Sequence, residues 1–156
     1  MNARGLGGEL GGDFLLTKEL TGFFNYSTEI ITQTKDNPYT AEDEKGERVK
    51  SNPERKINVG LRLKPGNVFS ANLLIHQVSK TEWLTGPEQS KEEVKPYTIV
   101  NTRIGYQFLD SQAEASLAVF NLFNRKHYEF PAGSDTAFSY GEEIGRMITF
   151  NLNYKF

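Results

Sequence analysis

Residues 147–156 read MITFNLNYKF. Ile148, Phe150, Leu152, Tyr154 and Phe156 alternate with Thr149, Asn151, Asn153 and Lys155. In an extended chain successive side chains point to opposite faces, so this segment carries one wholly apolar face and one wholly polar face. A helical period does not fit it. The same two-residue period recurs upstream. Val100, Ile104, Tyr106 and Phe108 oppose Asn101, Arg103, Gly105 and Gln107, and Ile57, Val59, Leu61 and Leu63 oppose Lys56, Asn58, Gly60 and Arg62.

Weaker copies follow the same rule. Phe69, Ala71, Leu73 and Ile75 oppose Ser70, Asn72, Leu74 and His76, with Leu74 out of pattern. Ala113, Ala115, Leu117 and Val119 oppose Glu114, Ser116, Ala118 and Phe120, with Phe120 out of pattern. Nearer the N-terminus, Leu20, Phe24, Tyr26 and Ile30 share a parity against Thr21, Asn25, Ser27 and Glu29, and Leu6, Leu10 and Phe14 share one in a Gly-rich run. Seven strands and no helix are predicted.

The connections separate one all-β architecture from another. Short turns fall near Thr17 to Glu19, at Pro65-Gly66 and at Asp110 to Gln112, where Pro, Gly, Asp and Ser supply turn chemistry. Between them lie long polar segments from Gln33 to Pro53, Thr81 to Lys95 and Arg125 to Gly145. Strict alternation of short and long puts every long loop at one end, as in outer-membrane barrels with short periplasmic turns and longer extracellular loops. Tyr26, Trp83, Tyr97, Phe108, Tyr128, Tyr154 and Phe156 are placed near strand ends, where an interfacial girdle would need them.

Composition bounds the function. The 156 residues suffice for one domain, and 18 Lys and Arg against 20 Asp and Glu leave no basic face for nucleic acid. Without Cys there is no disulfide, thiolate zinc site or thiol nucleophile. The mean hydropathy of −0.54 argues against a membrane helix but not against a barrel, whose spanning strands need only ~9–11 residues with every second one apolar. Residues 1–12 have neither the charged start nor the apolar run of a signal peptide, so the chain is not expected to direct its own export. His76 and His127 lie on separate segments without metal-ligand spacing. Glu42-Asp43-Glu44, Glu92-Glu93 and Glu142-Glu143 read as solvated loop surface. With no poised nucleophile, carboxylate pair or nucleotide loop, no catalytic residue, metal or cofactor is assigned.

Several segments, in order, resemble the C-terminal part of a TonB-dependent outer-membrane receptor. They are Ala3-Arg4-Gly5-Leu6-Gly7-Gly8-Glu9-Leu10, then Asn25-Tyr26-Ser27, Pro96-Tyr97-Thr98-Ile99-Val100-Asn101, Asn121-Leu122-Phe123-Asn124 with Tyr128, and the stretch from Gly145-Arg146 to Phe156. The resemblance covers nearly all of the chain. It implies about seven consecutive antiparallel strands of a larger 22-stranded transmembrane β-barrel in the bacterial outer membrane. Such receptors are plugged by an N-terminal domain and take up scarce ligands such as ferric siderophores, cobalamin or glycans, with energy relayed by TonB.

On that basis residues 1–156 are expected to be barrel wall alone. The plug domain and N-terminal strands would be absent, and TonB would be met only through that absent part. The partners implied are membrane lipid, the remaining strands and plug, an unidentified small-molecule ligand and the outer-membrane assembly machinery. That machinery would read Ile148, Phe150, Leu152, Tyr154 and Phe156 by edge pairing, although Phe156 also fits a plain last lipid-facing residue. Glu9, Asn25, Arg62, Asn72, Arg103 and Glu114, with Glu29 and Asn58, are expected to line a wet lumen. Two other readings are a small self-contained barrel with an eighth strand hidden in Gln33 to Pro53, and a soluble β-sandwich.

Overall fold

The computed structural model describes residues 3–33, 46, 48–85, 90–131 and 141–155, and no described residue is helical. All seven expected strands form. They are β1 (Ala3–Leu15), β2 (Leu20–Gln33), β4 (Arg55–Leu63), β5 (Phe69–Val78), β8 (Tyr97–Phe108), β9 (Ala113–Phe120) and β10 (Met147–Tyr154). They join in chain order as one antiparallel meander, β1-β2-β4-β5-β8-β9-β10.

Directly opposed residues of an antiparallel pair share a face, so the register tests the alternation across the whole sheet. It holds. One row runs Gly22, Leu61, Leu73, Thr102, Val119, Ile148, and the next runs Leu20, Leu63, Ala71, Ile104, Leu117, Phe150. Tyr26 pairs with Leu10 and Ile57 on the same face, in mid-strand and not near a strand end as expected, because β2 runs on to Gln33.

Among the described residues nothing covers that apolar face. Leu10 is 63% exposed, Leu152 64% and Phe150 69%, and the only buried apolar side chains among the described residues are Val78, Val94 and Ala113. A sandwich would press such a face against a second sheet to make a dry interior. Among the described residues the only second sheet is the hairpin β6 (Thr81–Thr85) and β7 (Ser90–Val94), which does not supply the facing layer of a sandwich. The eighth-strand reading also fails for what is described of that segment. Only the two-residue β3 (Arg48–Val49) pairs there, with β2, and residues 34–45 and 47 lie outside the described residues.

The three short turns close as their chemistry predicts. Thr17 Oγ1 accepts from the backbone N–H groups of Glu19 and Leu20 at 3.2 and 3.1 Å. Gly66 follows Pro65 with φ of 62°. Leu109, Asp110 and Ser111 are all left-handed, and Gln112 N donates to Leu109 O at 2.9 Å. Within the expected long loop from Thr81 to Lys95, Thr81–Thr85 and Ser90–Val94 are strands instead. β6 and β7 keep the register of β5 and β8, so the hairpin continues beyond a break at Ser79-Lys80 and Lys95-Pro96. Since seven strands alternate in direction, β1 and β10 run the same way. An all-antiparallel closure of this sheet therefore takes an odd number of further strands, for an even total.

Phe23 lies on the polar face, against the pattern, and the sheet accommodates it through glycine. Its register partner Gly60 lies beneath the ring, and the Arg62 guanidinium lies 4.3 Å above the ring centroid. A methyl at Gly60 would overlap the ring and come within 2.6 Å of the Leu73 carbonyl oxygen. Gly60→Ala should therefore cost about 2 kcal/mol in equilibrium unfolding. Adding Phe23→Ala should recover only part of this, because the backbone oxygen cannot move aside; full recovery would refute the account.

Candidate functional site

Two regions carry organised polar chemistry: the polar face of the sheet and the long-loop end. On the polar face, Asn25 Nδ2 donates to Glu9 Oε1 at 2.5 Å, and Arg62 Nη1 donates to Asp13 Oδ1 at 3.0 Å. Arg103 pairs with Glu114 beside Gly105, and Asn72 stands in register between Arg62 and Arg103. Asn58 Oδ1 lies 2.6 Å from His76 Nδ1. All six candidates (Glu9, Asn25, Arg62, Asn72, Arg103 and Glu114) thus lie on one face, five of them in side-chain hydrogen bonds or ion pairs. Glu29 binds Asn52 Nδ2 at 2.9 Å.

At the other region, Asn121 ends β9. Its φ is 55°, a left-handed conformation that Asn tolerates better than most residues, and it is only 3% exposed. Its Oδ1 accepts from Arg125 N and its Nδ2 donates to Arg125 O, both at 2.9 Å. Its own N–H donates to Asn101 Oδ1 at 2.9 Å, tying the turn to β8. Asn124, left-handed at φ 51°, accepts from Arg146 N at 2.8 Å and so starts the approach to β10. The two asparagines of Asn121-Leu122-Phe123-Asn124 are backbone clamps.

The clamped loop lays His127 against Tyr97, with ring centroids 4.4 Å apart, and Tyr97 lies 6.4 Å from His76. An aromatic path therefore leads from Asn58 on the wall to the loop. His127 is 7% exposed; its Nδ1 lies 3.1 Å from Arg125 O, while Nε2 has no hydrogen-bond partner and stands 3.9 Å from Glu129 Oε1. Phe130 packs on Trp83 of β6 at 5.6 Å. Together Lys95, Tyr97, Arg125, His127, Tyr128 and Phe130 border a cleft of about 510 Å³. Lys126 is held by Glu143 at 2.8 Å, and that hydrogen bond raises the ammonium above its ordinary range.

Beside the cleft, Lys50 reaches Glu82 at 2.8 Å, and Lys80 reaches Glu82 and Glu93 at 3.3 and 3.1 Å. The two lysines hold the Glu82 carboxyl below its usual range, and Glu93 with Glu82 holds Lys80 above its own. Such exposed pairs steer the root of β6 more than they stabilise it.

The cleft is equipped to bind. It combines cations, ring faces and one buried imidazole nitrogen, and among the described residues no group of three or more His, Asp and Glu could hold a metal ion. Sequence reasoning placed His127 on a segment apart from His76, without metal-ligand spacing; the structure makes it a buried ring with one nitrogen engaged. It did not bring His127 to Tyr97, or foresee the Asn121 clamp. The one available signal was the pair of asparagines three residues apart at a strand exit. Ile148, Phe150, Leu152 and Tyr154 stand exposed on the apolar face of the edge strand β10, and Phe156 lies outside the described residues.

No protein-family model and no curated protein matches the sequence. Solved structures do match. The ferric yersiniabactin uptake receptor FyuA from Yersinia pestis matches at a TM-score of 0.74 and 18% identity, over 99% of this chain and 24% of that one. The FrpB iron transporter from Neisseria meningitidis matches at 0.70 and 21% identity, over 99% and 24%. The ferripyoverdine receptor of the outer membrane of Pseudomonas aeruginosa matches at 0.67 and 18% identity, over 97% and 19%. The chain spans a quarter or less of the length of these structures. By fold, this chain is similar to a stretch of each of these uptake receptors and transporters.

Proposed function

We propose that the chain serves as part of the wall of a bacterial outer-membrane receptor that takes up a scarce ligand, with energy relayed through TonB by a plug domain. The observation that carries this is a single sheet, bare and apolar on one face and knitted by charged and amide side chains on the other. Hydrocarbon suits the first face and a wet lumen the second. Glu9, Asn25, Arg62, Asn72, Arg103 and Glu114 then line the lumen and face the plug. The wall alone neither gates nor drives transport; it supplies structure and ligand-facing loops, with no catalytic role.

The cleft at the long-loop end of the sheet is the ligand-facing surface. Its Lys95 and Arg125 suit an anionic ligand, and Tyr97, Tyr128 and Phe130 suit one that carries rings. An iron chelate of the siderophore type has that chemistry, and the names of two matched receptors refer to ferric yersiniabactin and ferripyoverdine. The alternating edge of β10, completed by Phe156, is the segment offered to the assembly machinery.

This chain has no cysteine of its own, so in a receptor whose other segments carry no free cysteine a single introduced one reports its side of the membrane. In the receptor expressed in intact Gram-negative cells, Lys95→Cys at the long-loop end should react with a maleimide too large to cross the outer membrane. Asp110→Cys in the short turn should react only after the cells are opened. Equal labelling of both in intact cells, or recovery of the protein from the soluble fraction, would refute the proposal.

A further inference from the structure

The apolar face is not apolar to its upper limit. Arg4 of β1 pairs with Thr32 of β2, which pairs with Arg48 of β3, so the two arginines flank one threonine on that face. Strands lie about 4.8 Å apart, which puts their Cα atoms about 10 Å from each other, within converging reach of two guanidinium groups. Arg55 stands on the same face in the row Gly8, Thr28, Arg55. The Leu6–Ile30 row lies between the Arg4–Thr32–Arg48 row and that of Arg55, and below Arg55 the face is hydrocarbon: Leu10, Tyr26 and Ile57. Arg48 shares its charge with Glu54 at 3.2 Å, while among the described residues the side chains of Arg4 and Arg55 engage no carboxylate.

We infer that this arginine rim binds the phosphate of an anionic lipid headgroup whose acyl chains cover the apolar rows beneath. The inference rests on the membrane reading above and adds a specific lipid contact to it. Arginine presents a planar fork that matches phosphate oxygens in pairs, and two forks converging over Thr32 make a clamp. Gly8 and Thr28 share the row of Arg55 and present little side chain beside it; a Cβ at Gly8 would meet nothing within 4 Å. General electrostatics would not produce the same attraction, because the chain carries a formal net charge of −2. Any preference for anionic lipid must be local.

The test is flotation of the chain with phosphatidylcholine vesicles and with vesicles in which about a fifth of the lipid is phosphatidylglycerol. Each basic residue near an anionic surface contributes about fivefold, so Arg4 and Arg55, which engage no carboxylate among the described residues, predict about 25-fold tighter association with the anionic vesicles. Replacing Arg4, Arg48 and Arg55 together by Gln should abolish the preference while leaving flotation with phosphatidylcholine intact. Thr32→Asp, which sets a carboxylate inside the clamp without removing an arginine, should do the same. Equal flotation of the unaltered chain with both vesicle types, or a preference that survives Thr32→Asp, overturns the lipid contact alone. Failure to float with either vesicle overturns the membrane reading and this inference with it.

Discussion

Leu117→Arg should destabilise the folded wall in a phosphatidylcholine bilayer by roughly 2–4 kcal/mol, the cost of an arginine at the lipid midplane of a barrel. Leu117 lies in mid-β9 on the apolar face, between Ile104 and Phe150, and it is already 45% exposed with no partner sheet above it. Were that face wet, an arginine there would cost little, since exposed substitutions usually fall within about 0.5 kcal/mol. Asn151→Arg, one residue along β10 from Phe150 but on the opposite face, should stay near that small value. Tyr154→Arg, on the apolar face close to the short-turn end, should cost at most about 1 kcal/mol, because the penalty fades toward the interface. Urea unfolding from vesicles measures all three. A flat profile, with Leu117→Arg no worse than Asn151→Arg, would remove the ground for calling the face lipid-facing.

The same physics explains which parts of the fold could be read in the sequence. A strand between hydrocarbon and a wet lumen must alternate side by side, so Ile57 to Leu63 and Ile148 to Tyr154 announce themselves. On the proposed reading, water reaches both faces beyond the bilayer and the constraint lapses there. That is why Thr81–Thr85 and Ser90–Val94 looked like loop although they extend the β5 and β8 register. Phe23 broke the pattern because Gly60, far away in sequence, clears room for its ring. The site was less legible. Which polar residues share a face follows from parity, so Glu9, Asn25, Arg62 and the others could be grouped. The contact of His127 with Tyr97 depends on a loop whose path is set by backbone clamps, and no periodicity encodes that. The arginine rim was hidden in the same way: Arg48 lay in a predicted loop, and only its pairing with Thr32 brings it level with Arg4.

Those clamps can be tested directly at Asn121. Asn121→Ala should cost about 3 kcal/mol, from two separable sources. The first is the loss of two hydrogen bonds to the backbone of Arg125 in a buried setting, at about 1 kcal/mol each. The second is the left-handed backbone at φ 55°, which alanine adopts at a cost of about 1–2 kcal/mol and glycine adopts freely. Asn121→Gly should therefore be about 1 kcal/mol more stable than Asn121→Ala while still less stable than the parent, and the gap between the two isolates the backbone contribution. Asn101→Ala, which removes the acceptor for Asn121 N–H, should cost about 1 kcal/mol. The single tryptophan supplies a local readout, since Trp83 packs on Phe130 at the far end of the clamped loop. In Asn121→Ala its emission should shift to the red at urea concentrations where the sheet is still folded, because the loop releases before the wall. If Trp83 instead loosens only together with the sheet, and Ala and Gly at position 121 prove equally stable, then the asparagine neither holds the loop nor relieves its backbone.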